Sequence, residues 1–113
     1  MQKASRYIII QTTLSSRLQA ERLAKKLVEE RLAACVSIIG PISSQYRFSG
    51  KLEKSREYLC LAKTRTSLYS RLEKAIAASH PYQIPEIIAL PVIAGSRQYL
   101  AWLEAGTRTG KDK

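Results

Sequence analysis

Histidine occurs once in this chain, at position 80, and cysteine twice, at positions 35 and 60. A closed transition-metal site takes about four donors, and around His80 the sequence offers Glu86 and little else. The cysteine spacing matches no zinc or redox motif. Both cysteines lie in apolar surroundings, Ala33-Ala34-Cys35-Val36 and Leu59-Cys60-Leu61, where a free thiol acts as a small buried hydrophobe. Glycine is sparse, and neither a Gly-x-x-x-x-Gly-Lys-Ser/Thr phosphate loop nor a Gly-x-Ser-x-Gly nucleophile elbow is present. No conventional catalytic constellation is therefore expected. No apolar run approaches the roughly 20 residues of a membrane span. The first residues lack the long apolar segment and small-residue cleavage site of a secretory signal, so the cytoplasm is the expected location. Negative charge is also scarce: 9 acidic residues face 19 basic ones, a net charge of +10. Such a surplus draws anionic partners. Yet basic residues alternate with glutamates along the first helical segment, and no aromatic RNP-type motif occurs. Specific nucleic-acid binding is not expected.

What is present reads as one domain. The 113 residues with 45% apolar content suit a single core, spanning residues 1–113 with an ordered part at about 6–105. The basic, glycine-interrupted tail at 106–113 is expected to be disordered. Residues 7–12 are rich in β-branched side chains and read as a strand. Ser15 or Ser16 can cap the helix that follows and reaches about residue 32. Ala20, Leu23, Ala24, Leu27 and Val28 share its apolar face, while Glu21, Lys25 and Glu29 line the other at i,i+4 spacing. A second strand runs over residues 35–48, with Gly40-Pro41 as a bulge or bend. Ser49-Gly50 supplies the turn into a third strand ending at residue 64. Thr66 or Ser67 caps a second helix, which buries Leu68, Leu72, Ala75 and Ile76 and stops before Pro81. Residues 87–92 form a fourth strand. After the break at Gly95-Ser96, Tyr99, Leu100, Trp102 and Leu103 mark a short amphipathic helix.

The order β-α-β-β-α-β plus a short C-terminal helix is the α+β, ferredoxin-like split βαβ sandwich, with a four-stranded antiparallel sheet and both main helices on one face. Two features of the pattern do not suit a single copy. The apolar runs Ile8-Ile9-Ile10, Leu59-Cys60-Leu61-Ala62 and Ile87-Ile88-Ala89-Leu90 read as strands covered on both sides, and two helices cover one side. The hairpin arms hold roughly 14 residues each, against about 5–6 for an ordinary strand. Their outer half carries Tyr46 and Phe48 with little domain to pack on. Copies of the chain covering one another resolve both, so a homo-oligomer is expected.

Residues 79–91 hold the histidine and three of the four prolines ahead of an apolar run. Proline fixes φ and removes a backbone donor, so His80, Tyr82 and Glu86 sit on a stiffened loop feeding a strand. Such a loop can carry a site, or can simply be a rigid connection whose polar groups satisfy nearby backbone. Lys63, Arg65 and Arg71, flanking the cap of the second helix, are either solvated charges or contacts for an acidic ligand.

Taken together the segments resemble the CutA family, named for divalent-cation tolerance. The stretches that carry the likeness are Arg31-Leu32-Ala33-Ala34-Cys35-Val36, Tyr46-Arg47-Phe48-Ser49-Gly50-Lys51-Leu52, Glu57 with Ala62-Lys63-Thr64-Arg65, His80-Pro81-Tyr82 through Pro85-Glu86 to Leu90-Pro91, and Tyr99-Leu100-Ala101-Trp102-Leu103. The resemblance implies a compact homotrimer linked to copper and other divalent cations, with no settled enzymatic activity and no required cofactor. The metal ligands it implies are His80 and Glu86. Its strand-one cysteine falls on Thr12, which removes the thiolate that favours Cu(I). Phe48 stands where relatives carry tryptophan. CutA proteins also look like the trimeric PII signalling proteins, which implies as an alternative a sensor taking a small anionic metabolite between subunits.

Overall fold

A computed structural model describes residues 5–108. Strand β1 (Tyr7–Leu14) alternates as a half-covered strand should, burying Ile8, Ile10, Thr12 and Leu14. It runs two residues beyond the expected end, because Thr13 and Leu14 still pair with Leu59 and Tyr58. Helix α1 (Arg17–Glu29) starts at Ser16, whose hydroxyl accepts from the Gln19 amide at 3.1 Å. It stops short of residue 32. The amides of Leu32 and Ala33 both turn back to the Leu27 carbonyl, and Arg31 adopts a left-handed φ of 59°, which ends the helical ladder.

The hairpin is built from β2 (Cys35–Phe48) and β3 (Lys51–Arg65). Ser49 and Gly50 both have positive φ, 52° and 78°, the requirement of the tight turn whose twist matches the strands it joins. The register shifts between Ile39 and Ile42, so the Gly40-Pro41 irregularity falls where the sequence places it. Gly40 is needed there: an added Cβ would lie 2.5 Å from Tyr58 Cδ2.

A short 3₁₀ turn (Thr66–Leu68) leads into α2 (Tyr69–Ser79), and neither Thr66 nor Ser67 caps it as expected. The Thr66 hydroxyl instead donates to the Ser5 carbonyl and its amide to that of Arg6. Strand β4 (Ile88–Pro91) is shorter than the expected 87–92 and pairs with Ile8–Gln11. Helix α3 (Arg97–Gly106) is capped by Ser96. The expected tail begins too early: Gly106 closes α3, and Thr107 is fully buried, its hydroxyl donating to the Leu103 carbonyl at 3.1 Å. The remainder of that tail, 109–113, lies outside the described residues.

The sheet order is β2-β3-β1-β4, all antiparallel neighbours. This is the expected α+β split βαβ arrangement. One face packs Ile8, Ile10, Leu14, Cys60 and Ala62 against Ala20, Leu23 and Leu27 of α1 and Leu72 and Ile76 of α2. Full burial of one such aliphatic side chain stabilises by about 1.5–3 kcal/mol. Strand parity sends Tyr7, Ile9, Gln11, Leu59, Leu61, Lys63 and Arg65 to the other face. There α3 covers one end only, held through Tyr7 and Arg65.

Candidate functional site

Pro81 and Pro85 restrict the loop after α2, so the groups it carries keep fixed places. His80 Nε2 lies 2.7 Å from the Thr13 carbonyl, and the Tyr82 amide donates to Nδ1 at 3.1 Å. A carbonyl only accepts and an amide only donates, so Nε2 carries the proton and Nδ1 offers the lone pair. The Tyr82 ring meets the imidazole edge-on at 4.7 Å between centroids. Its hydroxyl donates to Glu57 Oε2 at 2.9 Å. Glu57 is only 7% exposed. Burial, and after it the bond to Glu57, pushes the Tyr82 hydroxyl up to about 12. The unit therefore ties the loop to the end of β1 and the middle of β3.

Glu86 is held elsewhere, accepting from Gln11 Nε2 at 2.8 Å. Gln11 and Thr12 are consecutive on β1 and face opposite sides of the sheet. Thr12 points into the helix-covered core beside Cys60, while Gln11 and Glu86 lie on the open side. Of the three positions that the resemblance implies for a metal, Thr12 and Glu86 thus lie on opposite faces of the sheet. Among the described residues no group of three or more His, Cys, Asp and Glu side chains is placed to hold a metal ion. Both imidazole nitrogens of His80 already have backbone partners. The described residues of one chain do not by themselves form a closed metal site. Burial raises the Cys60 thiol to about 11, which keeps it an inert core group.

Thr12 Oγ1 is buried without a hydrogen-bond partner. Thr12→Val removes that hydroxyl while keeping the shape of the side chain. It is expected to raise the unfolding free energy by about 1 kcal/mol in a urea titration.

Sequence reasoning missed Glu57 and Glu104 as organising groups. Glu104 accepts from Arg6 Nε and Nη2 at 3.1 and 2.8 Å and from the Tyr7 hydroxyl at 2.9 Å. Arg65 and Arg108 approach it at 4.0 and 3.6 Å. These bonds hold its carboxyl at about 2, the Arg6 guanidinium being the largest cause. Glu57 was legible in part, since the parity of β3 aligns it with Leu59 and Leu61 on an apolar face. On that same open face Lys63 Nζ donates to Ser37 Oγ at 2.5 Å and reaches Cys35 Sγ at 3.9 Å.

One face sealed by helices, one largely apolar face left open and a hairpin grown beyond the domain define a ferredoxin-like α+β protein, with its polar groups used for anchoring. More narrowly, residues 8–106 match the CutA1 divalent ion tolerance protein family, and the chain belongs to that family. The divalent-cation tolerance protein CutA of Thermus thermophilus is 44% identical over 99 residues, covering 88% of this chain and 96% of its own length. A solved structure of the divalent cation tolerance protein from Thermus thermophilus superposes with a TM-score of 0.88 at 43% identity, over 90% of this chain and 99% of that one. CutA1 from Oryza sativa superposes with a TM-score of 0.90 at 38% identity, over 95% and 98%.

Proposed function

We propose that this chain serves divalent-cation tolerance as a homotrimer, without enzymatic chemistry of its own. The open sheet face carries the reading. Ile39, Ile88 and Leu90 are 49%, 47% and 43% exposed there and stand beside the half-buried Ile9, Leu59 and Leu61. A contiguous apolar face of this kind marks an interaction surface. The hairpin adds Tyr46, Phe48 and Leu52, all exposed beyond the domain. Membership of a family named for tolerance rather than for a reaction supports the rest. Native mass spectrometry of the full chain at micromolar concentration is expected to give three times the chain mass; a single-chain mass would overturn the assembly.

A divalent cation is the ligand class indicated by the family name, copper being the one the resemblance implies, and no resident metal is required for the fold in this reading. For His80 and Glu86 to serve as ligands, His80 Nδ1 must release the Tyr82 amide and Glu86 must share its carboxylate with Gln11. Copper titrations of wild type and His80→Ala separate these uses: identical isotherms remove His80 from the ligand set. One observation favours the sensor alternative. A cleft of about 240 Å³ at the start of α2 is lined by Arg6, Arg65, Thr66 and Ser67, a polar and cationic lining suited to a small anion. A thermal shift with inorganic phosphate but not with copper or zinc would favour that reading over the metal one.

A further inference from the structure

On the open face Glu57 and Arg65 already have partners within the chain, and two further charges stand apart from them. Lys63 lies on the β2–β3 side, half-buried, with only Ser37 Oγ and Cys35 Sγ as near polar partners, and among the described residues no carboxylate pairs with it. Glu86 lies on the β4 side, half-buried, bonded to the neutral Gln11 amide, and no cation pairs with it among the described residues. The other described carboxylates are placed elsewhere. Those of α1 and α2 are carried on the helix side of the sheet, and Glu30, at the end of α1, pairs with Lys26. Glu53 is on the exposed hairpin. Glu57 is buried against Tyr82, and Glu104 is taken by arginines. Covering this face would bury an ammonium and a carboxylate, each without a counter-ion. An unpaired buried charge is strongly destabilising, and one with its opposite at hand is not.

We infer that Lys63 of one copy pairs with Glu86 of the next across this face, completing a mixed site with Cys35 and Ser37. The inference rests on the assembly reading above and deepens it by naming the polar contact within the apolar interface. The occupant is a second copy of the chain, because the two charges are complementary and both sit on the face that needs covering. Each copy carries the two charges on separate patches. A closed ring therefore pairs every one of them, with none left over. The pair also sets register, since apolar contacts alone slide more freely than a fixed ammonium–carboxylate contact.

Charge reversal tests the pair. Lys63→Glu and Glu86→Lys, each in the full chain, are expected to raise the concentration at which the assembly dissociates by about 100-fold or more, because each sets like charges against each other. The double variant Lys63→Glu/Glu86→Lys restores opposite charges at every contact and is expected to regain the assembled mass. Far-UV circular dichroism and a cooperative melt show that each variant is folded. Wild-type mass on reversal of either residue, or a double variant that stays dissociated, overturns the pair while leaving the assembly standing. The second result would also follow if Lys63 meets a small anion instead. A single-chain mass for the wild type overturns the assembly and the pair together.

Discussion

His80→Ala is expected to lower the unfolding free energy by about 3 kcal/mol in metal-free buffer, measured by urea denaturation at fixed chain concentration. Three contacts are lost together. The Nε2–H bond to the Thr13 carbonyl at 2.7 Å and the acceptor for the Tyr82 amide are each worth about 1 kcal/mol net. The edge-on contact with the Tyr82 ring adds about 0.5–1.5 kcal/mol. The loss reaches further, because the imidazole fixes where Tyr82 stands and Tyr82 is the donor to the buried Glu57 carboxylate. Tyr82→Phe alone strips that donor and is expected to cost about 2 kcal/mol. The two substitutions act on one connected unit, so the double variant is expected to lose less than the sum. A residue kept only as a metal ligand would behave differently. Its loss would leave the metal-free stability within about 0.5 kcal/mol of wild type, and that result would remove the anchoring role argued for His80.

The elements were legible where local chemistry decides them. The β-branched run of β1, the apolar stripe of α1 and the Ser49-Gly50 turn each state their structure in a few residues, and the order of elements then limits the topology to few choices. The open sheet face was legible too, because Ile9 between Ile8 and Ile10 has no helix to meet. What escaped was everything that depends on distant residues meeting. Thr66 and Ser67 have the chemistry of caps, but the Thr66 hydroxyl finds the Ser5 carbonyl first. Gly106 and Thr107 look like a tail by composition. Thr107 is fixed by Arg65, 42 positions away, whose guanidinium bonds both its Oγ1 and its carbonyl, and the Gly106 carbonyl accepts from Arg31 Nη1 at 3.4 Å. The loop at 79–91 stands between these cases. Its rigidity follows from its prolines, while the use of that rigidity depends on Thr13 and Glu57, which no local pattern connects to it. Thr12 was legible as the missing thiol. Its separation from Glu86 onto the opposite sheet face follows from strand alternation once Gln11 is seen to hold Glu86.

Glu104→Gln is expected to cost about 2 kcal/mol at neutral pH and to flatten the acid limb of the stability curve. The carboxylate sits at the join of α3 with β1 and β3, where it receives Arg6 and Tyr7 by hydrogen bonds and lies near Arg65 and Arg108. Arg6 does most to hold the carboxyl at about 2, below its ordinary 4.5. The Arg6 side chain is 67% exposed, however, and solvent screening reduces what that contact adds to stability. Most of the expected loss therefore comes from the Tyr7 hydroxyl and from the nearly buried Arg65, which keeps its bonds to Thr107 but loses the neighbouring negative charge. Between pH 4.5 and about 2 the unfolded carboxyl takes up a proton that the folded one does not. Each step down in pH through that window then favours the unfolded chain, and the stabilisation present above pH 4.5 is lost. Glutamine carries no titrating proton, so the difference in stability between wild type and variant is expected to shrink towards zero as the pH falls through the same window. Denaturation series at pH 7, 4.5, 3 and 2 check this. A difference that stays constant across them would mean that Glu104 holds α3 by packing alone, with its charge irrelevant to the join.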